Sequence, residues 1–157
     1  MPADALYAHT ASIVVNATPD AAFAFMASGE QQSNWALGSW DRRLVGDDLW
    51  VGRSLFDGGE HFVRIEGDPG LRLVDYRVGA AADAMLHKVE ARVIDGAPLG
   101  HPEGSSVITM TVWRGRNDRP EIWARTFHTW EVEMHLIKHL IEAGPAADAN
   151  DSEESAS

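Results

Sequence analysis

Between Asn117 and Gly144 apolar residues recur at Trp123, Phe127, Trp130, Met134, Ile137 and Ile141. The steps alternate between four and three, so all six fall on one face of an α-helix. Asp118 and Glu121 have the spacing of a capping box, Pro120 suits the first turn, and Gly144-Pro145 ends the element. The pattern predicts a helix of about 25 residues, roughly 38 Å long, which needs a partner surface of similar length. Two polar residues, Thr126 and Glu133, interrupt the apolar arc, and Glu133, near its edge, reads as an exposed carboxylate. His128, His135 and His139 lie opposite the stripe with Glu121, beside Arg125, Glu131 and Glu142. His135 and His139 have metal-ligand spacing, but no glutamate follows the first of them as a zincin requires. This face reads as solvated, and neither a metal site nor a cofactor is assigned.

Elsewhere the period is two. A β-branched run closing the segment Leu6–Asn16 predicts a first strand. Thr18-Pro19-Asp20 then starts a short helix, with Ala22, Phe23 and Met26 as its apolar face and Gly29 as its end. A second helical turn or two covers Glu30 to Trp35. Glycine punctuation thereafter divides the chain into six strands: Trp40–Val45, Gly52–Asp57, His61–Glu66, Leu71–Val78, Met85–Ile94 and Ser105–Arg114. In the fifth, Met85, His87, Val89, Ala91 and Val93 alternate with Lys88, Glu90 and Arg92, which puts His87 on the apolar face. In the last, Ile108, Met110 and Val112 share one face and Thr109, Thr111 and Trp113 the other; alternation leaves open which faces inward. Asp57-Gly58-Gly59 and Asp68-Pro69-Gly70 are tight turns, so consecutive strands pair antiparallel. The order predicts an α+β fold: a seven-stranded antiparallel sheet wrapped around the long C-terminal helix, with two short helices after the first strand.

The 157 residues suffice for one domain, expected over residues 1–144. The net charge is −11, and Asp148, Asp151, Glu153 and Glu154 lie in a small, polar tail, 145–157, expected to be disordered. Acidity of the remainder argues against nucleic acid as partner. There is no cysteine, hence no disulfide framework. The first ten residues lack a signal-peptide pattern and no apolar run approaches spanning length. A cytoplasmic protein without membrane insertion, monomer or homodimer, is the expectation.

Three stretches carry a family resemblance. Ile13-Val14-Val15-Asn16-Ala17-Thr18-Pro19-Asp20-Ala21-Ala22-Phe23-Ala24-Phe25, the pair Asn34-Trp35, and Asp68-Pro69-Gly70-Leu71-Arg72-Leu73-Val74-Asp75-Tyr76 resemble, in this order of elements, the START-like, helix-grip superfamily called SRPBCC. It includes polyketide cyclases, lipid-transfer domains and pollen allergens. The resemblance spans residues 6 to 143. It implies a deep, largely apolar cavity between sheet and last helix, and it carries no shared catalytic motif.

If such a cavity exists, alternation nominates its lining. His61, Tyr76 and His87 point inward from three strands, and Trp123, Thr126, Phe127, Trp130 and Met134 close it from the helix, with Glu133 at the side. Small hydrophobic molecules, lipid- or polyketide-like, are the expected partners. One alternative is a polyketide cyclase or dehydratase using His61, Tyr76 and His87 as acid–base groups. A second is a co-chaperone-like interaction module, which a filled cavity and an exposed apolar patch would favour.

Overall fold

The computed structural model describes residues 7–144. Both the acidic tail and the first six residues fall outside them. Seven strands form one antiparallel sheet: β1 (Ala8–Val15), β2 (Trp40–Gly46), β3 (Leu49–Arg53), β4 (Glu60–Asp68), β5 (Leu73–Gly79), β6 (Leu86–Asp95) and β7 (Ser106–Trp113). Their spatial order is β1-β7-β6-β5-β4-β3-β2. Every strand after β2 thus pairs with its predecessor, and β1 closes the far side against β7, as short turns dictate. Helices α1 (Pro19–Met26) and α2 (Gly29–Gln32) follow β1, and α3 (Pro120–Ala143) ends the fold. This is the α+β helix-grip arrangement.

Local chemistry sets most boundaries. Thr18 caps α1 by accepting the Ala21 N–H at 3.3 Å, with Pro19 at the first helical position. Ser28 caps α2, which is shorter than the predicted Glu30–Trp35 turn and is followed by a 3₁₀ turn over Leu37–Ser39. Gly29 lies flat against the Trp50 indole, where a Cβ would overlap the ring. The strand predicted at Gly52–Asp57 begins earlier, at Leu49, because Asp48 adopts a left-handed turn conformation (φ 54°). Asp57 then belongs to the β3–β4 loop, accepting the Gly59 N–H at 2.9 Å. The expected capping box is absent: Arg119 holds the N-cap position without a side-chain bond. Asp118 instead accepts the Gly115 N–H at 2.7 Å, and Lys88 reaches the same oxygen at 2.6 Å.

The inner face of β7 carries Ile108, Met110 and Val112, all buried, which answers what alternation left open. They join Val15, Met26, Val74, Ala91, Val93, Trp123, Met134 and Ile137 in one core. The apolar stripe of α3 packs toward β1 rather than over the middle of the sheet. His9 of β1 stacks on Trp123, with ring centroids 4.0 Å apart and planes at 15°, and meets Phe127 edge-on at 5.0 Å. Lys138 Nζ donates to the Val14 carbonyl at 2.7 Å, and Glu142 accepts the Asn16 N–H at 2.9 Å, so the helix is tied to β1 along its length.

Candidate functional site

With most of the stripe committed to β1, the row of α3 beside it faces the middle of the sheet, and Trp130 of the stripe joins it there. Ile122, Thr126, Thr129, Trp130 and Glu133 border a cavity of about 360 Å³. The opposite walls come from Val63 and His61 of β4, Tyr76 and Val78 of β5, Val89 of β6, and Met110 and Val112 of β7. Gln32, Trp35, Ala36 and Arg42 close one end. At the other, the exposed residues Phe56, Asp57 and Arg119 form a mouth, with the Arg125 guanidinium 3.9 Å from the centre of the Phe56 ring. Gly59 holds the Asp57 carboxylate below its ordinary pKa, and His61 and Arg125 add to the effect.

Two irregularities in the sheet decide which charges enter. Opposite β5, Tyr76 pairs with Val89 while Arg77 pairs with His87, so Lys88 is the extra residue of a β-bulge. The bulge reverses the alternation beyond Val89. His87, predicted inward, faces out and sits 3.1 Å from Asp75 Oδ1, and Lys88 lines the cavity instead. At the other edge Trp40 pairs with Arg53 and Arg43 with Val51, a second bulge with Asp41 at φ 49°. It turns Arg42 into the cavity wall. There Nε donates to the Ser39 carbonyl at 3.0 Å and to Ser39 Oγ at 3.2 Å. Burial pulls its pKa down to about 10.

Glu133, expected at the surface, is 3 % exposed. Its Oε1 accepts the Leu37 N–H at 2.8 Å, an orphan donor at the start of the 3₁₀ turn, and this bond draws the side chain inward. Burial raises the carboxyl pKa to about 8, more than that bond and Arg42 lower it, so Glu133 is largely protonated at pH 7. Tyr76 is buried too, and its hydroxyl donates to the Met26 carbonyl at 2.6 Å, tying α1 to the sheet. Burial pushes its phenol upward.

The structure therefore brings His61, Tyr76, Thr126 and Trp130 to the cavity lining and leaves Trp123, Phe127, Met134 and His87 outside it. Trp123 and Met134 are core residues, and Phe127 is 38 % exposed beside β1. Pattern reasoning missed Arg42, Lys88 and Gln32. A signal for Glu133 did exist in the polar row Thr126, Thr129, Glu133. Among the described residues, Gln32 Oε1, Trp35 Nε1, Arg42 Nη1 and Trp130 Nε1 are buried without a hydrogen-bond partner, and all four side chains line the cavity. No helix of the described residues is long and apolar enough to cross a membrane.

The sequence matches no family model and no curated protein. Solved structures do match. The Zhui aromatase/cyclase from Streptomyces sp. R1128 superposes at a TM-score of 0.62 with 13% identity, covering 86% of this chain and 93% of its own. A START superfamily protein from Mycobacterium smegmatis gives 0.63 with 8% identity, covering 88% and 99%. The Aha1 dimer from Colwellia psychrerythraea gives 0.62 with 16% identity, covering 88% and 98%. The protein has the START-like, helix-grip fold that the sequence resembles. At these identities the likeness reaches the fold alone.

Proposed function

We propose that this protein binds a small, largely apolar molecule in the cavity between α3 and the sheet. The observation that carries the reading is the open volume itself. About 360 Å³ lie between apolar side chains such as Trp35, Val63, Val89, Met110 and Trp130, with polar groups including Arg42, His61 and Glu133 set among them. Binding pockets typically fall between ~300 and 1,000 Å³ and combine apolar walls with a small polar set in this way. A filled interior would have favoured the interaction module. The aromatase/cyclase among the similar folds is consistent with a ring-containing ligand of polyketide size.

A second reading, acid–base catalysis on such a ligand, has one specific observation in its favour. Glu133 is buried in the cavity wall, where burial raises its carboxyl pKa to about 8, and His61 also lines the cavity. A protonated carboxyl there could donate to a ligand carbonyl while the imidazole accepted a proton.

The test is a ligand screen on the purified protein with fatty acids, flavonoids and aromatic polyketides, following melting temperature and tryptophan emission. Native mass spectrometry of the fresh protein is run beside it. A ligand at a hundred times its Kd adds about 2.7 kcal/mol to stability, which corresponds to a rise of roughly 5–10 °C for a domain of this size. No response from the whole panel would contradict the reading.

A further inference from the structure

The cavity belongs to a chain of net charge −11, yet four of its lining residues are Arg42, Lys88, Arg119 and Arg125. Three of these are engaged. Lys88 pairs with Asp118 at 2.6 Å, Arg119 pairs with Glu121 at 3.2 Å, and Arg125 lies over Phe56. Arg42 differs: among the described residues no carboxylate lies within ion-pair distance of it, and its Nη1 is buried without a partner. Glu133, the carboxyl that acts on Arg42 at longer range, accepts the Leu37 N–H and is largely neutral at pH 7. Arg42 is half-buried with this nitrogen withdrawn from water, and a guanidinium so placed without a counter-ion costs stability. The β2 bulge is the device that puts it there.

Building on the cavity reading above, we propose that the ligand is an anion, an apolar body ending in a carboxylate that takes Arg42 as its counter-ion. The planar guanidinium fork matches a carboxylate in two parallel hydrogen bonds, and Nε, already held by Ser39, fixes its orientation. Trp35 and Trp130 border the cavity that holds the apolar body.

Matched probes test this: 2-naphthoate against 2-naphthamide, and decanoate against decanamide, titrated at pH 7 and low salt while following tryptophan emission. Wild type should bind each carboxylate about tenfold or more tighter than its amide, as a charge-assisted pair warrants. Arg42→Met should abolish that preference and leave amide affinity within about twofold, Arg42→Lys should keep part of it, and Arg77→Met, at an exposed cation outside the cavity, should leave it intact. Should Arg42→Met fail to melt cooperatively, wild type at pH 9 replaces it. The titratable groups acting on Glu133 are Arg42 from β2 and Tyr76 from β5, and His61 of β4 and Lys88 of β6 line the same cavity. Ionised Glu133 would then neutralise Arg42, weakening carboxylate binding and sparing amide binding. Equal affinity for both members of each pair in wild type, or a preference that survives Arg42→Met, overturns the proposal while leaving the cavity reading in place. No binding of any probe overturns both.

Discussion

Glu133 and Leu37 are 96 positions apart, yet the Oε1 of one accepts the backbone N–H of the other at 2.8 Å. The bond joins the middle of α3 to the turn before β2 and holds a carboxyl inside the cavity wall. Its titration should be visible in stability. The folded-state pKa of about 8 lies above the ordinary 4.5, so folding retains a proton that the unfolded chain releases. Glu133 therefore costs nothing below about pH 4.5 and costs progressively more up to about pH 8. Glu133→Gln keeps the acceptor for Leu37 and cannot ionise. We expect its melting temperature to match wild type near pH 4.5 and to exceed it by a margin that widens up to pH 8. A gap independent of pH would show that the carboxyl is not buried as described.

Trp123 and Trp130 are seven residues apart on one helix face but have different surroundings. Trp123 is 1 % exposed and stacked on His9, away from the cavity, whereas Trp130 lines it. Trp123→Ala should cost about 3–5 kcal/mol, and no cavity ligand should repair it specifically. Trp130→Ala should weaken binding of a cavity probe. Loss of binding in both, at equal stability cost, would contradict the division.

The Tyr76 hydroxyl serves the fold. Tyr76→Phe strands the buried Met26 carbonyl and should cost about 1–3 kcal/mol. His87→Gln, at an exposed pair with Asp75, should leave both stability and cavity binding near wild type. Urea denaturation and probe titration check both, and a binding defect in His87→Gln would contradict the outward orientation.

Asp118 accepts from Lys88 and from the Gly115 N–H with one oxygen. Asp118→Ala removes both bonds at the approach to α3 and should destabilise by about 1–3 kcal/mol. An unchanged denaturation midpoint would show that water replaces them at no cost.

Much of this was legible in the sequence. Residue steps of four and three gave α3 its face, and the strand alternation with glycine turns gave the seven-stranded meander. The cavity charges were not, because alternation presumes an unbroken ladder. A single extra residue at Lys88 turned His87 out and Lys88 in, and nothing in the local pattern of charges announces it. The same holds for Arg42 beside Asp41. On α3 the stripe was read correctly, but most of it proved to pack on β1, so the polar row beside it, with Trp130, received the cavity. Glu133 and Thr126 were legible as intruders; what they faced depended on a docking that periodicity does not encode.

Thr126 offers the most direct test of the cavity as a binding site. Its hydroxyl is bonded only to the Ile122 carbonyl of its own helix, at 2.9 Å, and it borders the open volume. Thr126→Phe should place a ring in that space at little cost to the fold. Titration with 2-naphthamide, which needs no charge partner, should then show affinity at least about tenfold below wild type, with cooperative melting retained. Unchanged affinity in the folded variant would place the binding elsewhere and contradict the account.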